Sequence, residues 1–275
     1  MQARRIDHML TDLSNQLLRL GTRIHKQKEK GRWKQEDIHH FRVTTKKLSA
    51  LLNWISTAMD NRKPLGLLKP WKKLYQLTGE VRELQLFRQE LLADQAELDE
   101  HLTALLAETD RELAALASQP CPLPDSVSMA RLQASLPTRF TYLPIYSSAL
   151  QFIEAHIRRF CALMRSPSEE RMHRARKQLK ELIYLAECGK QYGIPLSGGD
   201  WLKSEGRRLR QLADELGRLH DLSGMLLLSS EKMKTCPSGE AAILENRRSA
   251  WREEMEQLMR QAVQLRLKWK ESTVF

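Results

Sequence analysis

Two histidine-led sets of cations recur at one spacing in this chain: His39, Arg42 and Lys46, then His173, Arg176 and Lys180, both written His-x-x-Arg-x-x-x-Lys. Residues of these types bind anions. A guanidinium donates paired hydrogen bonds to an oxyanion, an ammonium adds a compact point charge, and an imidazole donates a ring N–H or, when protonated, adds charge as well. On a helix turning about 100° per residue, with His at zero, Arg falls near 300° and Lys near 340°, so the three share a face. Phe41, Thr45, Leu48 and Leu52 in the first copy, and Ala175, Leu179, Leu182 and Ala186 in the second, fall on an arc of roughly 180–240°. Each helix is therefore predicted to bury one stripe and carry cations beside it. Lys47 and Lys177 enlarge the two sets. A lone His-x-x-Arg is ordinary surface patterning, and it is the repetition at matching angles that singles these helices out.

The rest of the chain reads as the scaffold that must hold them. Leu, Glu, Arg, Lys, Gln and Ala dominate, β-branched runs are scarce, and no alternating strand pattern occurs, which predicts an all-α fold. The periodicity gives helices over 2–27, 35–59, 67–93, 95–118, 140–165, 167–192, 200–230 and 239–271. Gly31, the pair Pro64 and Gly66, and the group Pro195, Gly198 and Gly199 fall in the gaps. Ser166-Pro167-Ser168-Glu169 reads as a capping box, with Ser166 as N-cap, Pro167 as first helical residue and Glu169 closing the box. Gln119-Pro120-Cys121-Pro122-Leu123-Pro124-Asp125 cannot continue a helix and reads as a linker.

A second motif also repeats: Gly79-Glu80-Val81-Arg82-Glu83-Leu84 and Gly217-Arg218-Leu219-His220-Asp221-Leu222. The two motifs recur in the same order at separations of 134 residues (39 to 173) and 138 residues (79 to 217), the mark of an internal duplication. The expected architecture is one domain of two tandem four-helix bundles related by pseudo-twofold symmetry: residues 1–118, a Pro-rich linker 119–139, and residues 140–275. The glycines are expected to let helices approach closely, with Glu83 and Asp221 pairing with bases or capping backbone groups.

Composition narrows the partners. The 275 residues hold 45 Lys and Arg against 34 Asp and Glu, for a net charge of +11 and a pI near 9.6, which suits a polyanion. A hydrophobic content of 41% fits a globular chain. No apolar run of about 18 residues occurs, and the basic N-terminus has none behind it, so a soluble, unexported protein with no membrane association is expected. Cys121, Cys161, Cys188 and Cys236 are far apart and form no Cys-x-x-Cys pair, which gives neither a structural zinc site nor a disulfide framework. The six tryptophans read as packing residues.

Together these blocks resemble the CHAD family, the conserved-histidine α-helical domain, whose halves each carry a His-x-x-Arg-x-x-x-Lys helix and a following Gly-x-x-Arg-Asp-Leu-like segment. The resemblance covers roughly residues 2–270. It implies a cytoplasmic helical domain, including one at polyphosphate granules, that binds inorganic polyphosphate through His39, Arg42, Lys46 and Lys47 and through His173, Arg176, Lys177 and Lys180. This sequence departs from the family pattern at Ser49, Ile183 and Glu181, where bases are usual, and at Glu83, where Asp is usual. Lys72, Lys73 and Arg210 precede the glycines and could extend the basic surface. No Glu-x-Glu-x-Lys triphosphatase motif, Gly-x-x-x-x-Gly-Lys loop or paired His-Asp cluster occurs, so the expectation is a binding domain with no catalytic residue, metal or cofactor. Glu80, Glu83, Glu90 and Asp94 read as ordinary helix-surface acids. RNA backbone binding is the alternative, with Tyr184 the aromatic placed in a basic stripe, and a metal-dependent phosphohydrolase a more remote one.

Overall fold

The apolar stripes read from the sequence become helices that pack across the middle of the chain. The computed structural model describes residues 2–60, 63–93, 100–120, 123, 145–166, 168–194 and 200–272. Among them there is no strand. The helices are α1 (Gln2–Glu29), α2 (Gln35–Ala58), α3 (Lys72–Leu92), α4 (Glu100–Ser118), α5 (Ile145–Leu163), α6 (Glu169–Tyr192), α7 (Asp200–Lys232) and α8 (Ser238–Ser272). Most of the linker, Cys121, Asp94 and the break at Pro195, Gly198 and Gly199 lie outside the described residues.

Two helix starts differ from expectation. Residues Lys63–Trp71 form a 3₁₀ segment, and α3 begins at Lys72 rather than 67. Pro70 explains this: it lacks an N–H and its ring blocks the carbonyl one turn back, so the α-helix starts beyond it. At α6 the N-cap is Ser168, whose Oγ accepts from the Arg171 backbone N–H, and not Ser166. The box read around Ser166 therefore does not form, and Glu169 is the first residue of the helix. At the other end Gly193 adopts φ 62°, and the Ile194 N–H reaches back to the Gly189 carbonyl at 2.8 Å, a left-handed cap that glycine adopts without strain.

Within each half, successive helices pack on one another: α1 on α2, α2 on α3, α3 on α4, and likewise α5 on α6, α6 on α7, α7 on α8. Across the halves α2 meets α6, α3 meets α7 and α4 meets α8, so three of the four helices of each half touch their own counterparts, while α1 packs on α6. This is the pattern expected of two halves related by a pseudo-twofold axis. The core follows it. One apolar cluster joins Ile6, Phe41, Trp54 and Trp71 to Phe152 of α5 and Leu185 of α6. Another joins Phe87 and Leu105 to Leu222 and Trp251, while a third lies within the second half around Phe160, Leu179 and Leu216. Two of the three clusters draw on both halves, so neither half closes its core alone.

Polar ties reinforce the junction. Arg218 of α7 bridges Glu90 of α3 at 2.5 Å and Glu254 of α8 at 2.7 Å. The carboxylate of Glu181 accepts from Asn53 of α2 at 3.1 Å and meets Nε2 of buried His156 at 2.6 Å. That contact accounts for an acid at a position where the family resemblance leads one to expect a base.

Candidate anion-binding site at the junction of the halves

Because α2 crosses α6 and α3 crosses α7, the two cationic stripes meet. Lys46, from the first half, is half-buried, and its ammonium is pushed down to about 8 by desolvation and then by Arg176, Arg42 and Lys180; Asp221 alone pulls the other way. Two of those cations belong to the second half. His39 is likewise held below its ordinary value by desolvation and by Arg82, His40, Lys46 and Lys180. His173 is lowered by desolvation, Lys177, Arg176 and Lys46, against an opposing pull from Glu169. Cations from α2, α3 and α6 thus crowd one place, at a cost in mutual repulsion that an anion would relieve.

Each motif arginine lies over the glycine of the following helix. A Cβ built on Gly79 would stand 2.9 Å from Arg42 Nη1, and one on Gly217 would stand 3.6 Å from Arg176 Nε. Gly79 thus leaves room for a guanidinium, where the sequence suggested only close helix packing, while a Cβ at Gly217 would make ordinary contact with Arg176. Arg42 is also pinned: Nη1 donates to the Tyr75 carbonyl at 2.8 Å, and the guanidinium sits 4.5 Å above the Tyr75 ring. Nε of Arg176 and Nη1 of Arg82 are buried donors with no hydrogen-bond acceptor among the described residues. Buried donors are almost always satisfied, and two orphans inside one cationic cluster are suited to an oxyanion.

Two participants were read from sequence as part of a structural motif. Arg82 and His220 occupy equivalent positions, three residues after Gly79 and Gly217. Nδ1 of His220 lies 3.2 Å from Nδ1 of His173, with ring centroids 4.4 Å apart. Desolvation, then Arg176, His173, Lys46 and Lys177, push His220 down to about 4. Asp221 and Glu83 are the local counter-charges, both held above the ordinary carboxylate range by desolvation although cations pull them down: Arg176, Arg82, Arg218 and Lys46 on Asp221, and Arg42 on Glu83. Their repeated offset was the available signal.

Other expected members stand at the margin. Lys180 belongs to the cluster electrostatically and also pairs with Asp214 at 2.9 Å. Lys177 is exposed on the flank, within reach of His173 and His220. Lys47 faces away and pairs with Glu187 at 3.1 Å. Lys72, Lys73 and Arg210 are exposed about two turns before the glycines. Glu90 is the partner of Arg218 rather than a free surface acid. Among the described residues, no three His, Cys, Asp or Glu side chains are grouped to hold a metal ion, and no helix is long and apolar enough to cross a membrane.

Comparison with known proteins agrees with this architecture. The search of curated proteins found no match. Among solved structures the chain is similar to the crystal structure of the CHAD domain from the plant Ricinus communis, with a TM-score of 0.68 over 96% of this chain and 92% of that one, at 17% identity. That likeness establishes the shared fold. The CHAD domain family model matches residues 15–226, which takes in both histidine helices and both glycine segments. The chain therefore belongs to the CHAD domain family.

Proposed function

We propose that this chain is a non-enzymatic, cytoplasmic binding domain for inorganic polyphosphate, with granules of that polymer as one setting, and that the ligand lies across the junction where α2 and α6 bring their cations together. The convergence of Arg42, Lys46, Arg176 and Lys180 from two halves carries the reading. Polyphosphate is a flexible chain with about one negative charge per phosphoryl group and no bases to recognise, so it needs repeated cations on a rigid frame rather than stacking platforms. The Tyr75 ring is already covered by the Arg42 guanidinium and is closed to a stacking base on that face.

Titration of the protein with long-chain polyphosphate, tripolyphosphate and an RNA of equal charge, at two salt concentrations, tests this. Long chains are expected to bind tightest, to displace the RNA, and to lose affinity steeply with salt through counterion release. RNA that competes equally at the same phosphate concentration would move the assignment to nucleic acid. Metal-dependent release of phosphate by the purified protein would move it to an enzyme.

The Arg42–Gly79 contact gives a sharper test. Gly79→Leu is expected to keep the helix, since Leu gains about 1 kcal/mol of propensity over Gly, while it drives the guanidinium off its seat. Affinity for long-chain polyphosphate should fall by about tenfold, the size of one lost charge-assisted hydrogen bond. Unchanged affinity, with circular dichroism confirming the fold, would take the Arg42 seat out of the binding reaction.

A further inference from the structure

Around α6 the cations do not stop at the central cluster. With Arg171 at zero and about 100° per residue, Arg176 lies near 140°, Lys180 near 180°, His173 near 200°, Lys177 near 240° and Arg174 near 300°. The buried residues Ala175, Leu179 and Leu182 fill the remaining arc. Cations therefore continue from the junction of the halves, past Lys177, to the outer side of the helix, with Glu170 and Glu181 between them near 260° and 280°. There Arg159, Arg171, Arg174 and Lys177 surround a hollow of about 430 Å³ between α5 and α6, and among the described residues no carboxylate lines it. Arg171 is fixed in place, because its Nε and Nη2 donate to the carbonyls of Leu163 and Ala162 at 3.1 and 2.6 Å and so neutralise the end of α5. Arg174 is paired with Glu170 at 2.9 Å, both well exposed, a pairing of the kind that contributes little and yields easily to a better anion.

The matching positions of the first half do not repeat these cations. At the 134-residue offset, Arg171, Arg174 and Lys177 correspond to Asp37, His40 and Val43. Asp37 instead ties α2 to α1 by accepting from the Arg23 side chain at 2.8 Å. Arg174 and Lys177, both exposed, are thus not required by the fold.

We infer that this hollow is a second anion subsite, reached past Lys177, which receives the segment of a polyphosphate chain that leaves the junction on the α6 side and makes the domain favour long chains over short ones. The inference rests on the polyphosphate reading above and deepens it. A short oligophosphate fills the junction alone, whereas a longer chain spans both places, and the second contact is then made at high effective concentration.

The test compares tripolyphosphate and long-chain polyphosphate binding to the wild type, to Arg159→Glu/Arg174→Glu, and to Arg252→Glu/Arg260→Glu, a control pair of exposed arginines on α8 that are likewise paired with neighbouring acids. All three proteins should show the same thermal unfolding. The outer pair is expected to lose about tenfold or more in long-chain affinity, to keep its tripolyphosphate affinity within about twofold, and to show a shallower salt slope for the long chain by about one to two units. Loss of both ligands alike, an equal loss in the control pair, or an unchanged long-chain affinity each overturns the subsite. Failure of the parent reading looks different: the wild type would then bind neither polyphosphate, and no variant would matter.

Discussion

Replacing Arg42 and Arg176 together by Met is expected to lower affinity for long-chain polyphosphate by about 100-fold or more while leaving the protein folded. Each guanidinium can offer a phosphoryl group charge-assisted hydrogen bonds worth about 1.5–3 kcal/mol, and two such losses reach at least about 3 kcal/mol. Stability should survive because methionine keeps the length of the stem. The Tyr75 carbonyl that loses its Arg42 donor still accepts from Thr78 Oγ1 at 3.1 Å, and Nε of Arg176 has no acceptor to forfeit. Reversal to Glu is the harsher choice, since it would set a carboxylate in partly desolvated surroundings beside Glu83 or Asp221. Calorimetric titration of the neutral pair and of each single variant also separates one shared site from two. In a shared site each single variant weakens the whole binding event by about tenfold at unchanged stoichiometry. In two independent sites a single variant leaves one population at wild-type affinity. A double variant that binds within about threefold of wild type would place the anion elsewhere.

How much of this was legible beforehand follows from what helical periodicity encodes. It gives the face of one helix, and on that basis the stripes of α2 and α6 and the all-α fold could be read directly. It does not give which neighbour a face meets. Arg82 and His220 enter the site only because α3 and α7 cross beneath the histidine helices, and nothing local to Gly79 or Gly217 states that. The same gap explains Lys47, which follows Lys46 in sequence but sits about 80° around the helix from His39 and pairs with Glu187 instead. Local chemistry misled at two helix starts. Ser166 and Ser168 both suit an N-cap, and the choice of Ser168 came with the seating of Arg171 on the end of α5. The periodic pattern of α3 ran back through Pro70, whose backbone constraint outweighed it. Glu181 was legible as a departure from the family pattern but not as a partner for His156, because that contact joins α5 to α6 across 25 residues.

Lys46 should show most clearly that the site is built for a ligand at the expense of the empty fold. Its ammonium titrates at about 8 in the folded protein against about 10.4 in an unfolded chain. The unfolded state therefore binds more protons between these values, so stability rises with pH across roughly 8 to 10.4, and below 8 the full penalty persists. As an order of magnitude that penalty is about 3 kcal/mol, and about 2 once solvent screening of the partly exposed ammonium is allowed for. Lys46→Met removes it. The variant should unfold about 4–8 °C higher at pH 7 and lose the upward slope in stability above pH 8. Binding should move the opposite way. A polyanion set among Arg42, Arg176, Lys180 and Lys46 restores the protonated ammonium, so at pH 8–9 the wild type takes up a proton on binding and its affinity falls as pH rises. His39, His173 and His220, each depressed in the free protein, should add a second gain in affinity as pH drops below about 6.5. Asp221 and Glu83, held above their ordinary range, reinforce that lower window by losing charge near the anion. Titrations in buffers of different ionisation enthalpy read the proton uptake directly. Lys46→Met should abolish the upper window, bind about tenfold more weakly at pH 7, and retain the lower window. Equal affinities at pH 7.5 and 9.5 in the wild type would show that Lys46 does not meet the anion, and a Lys46→Met protein no more stable than wild type would show that neither burial nor the cationic neighbours strain it.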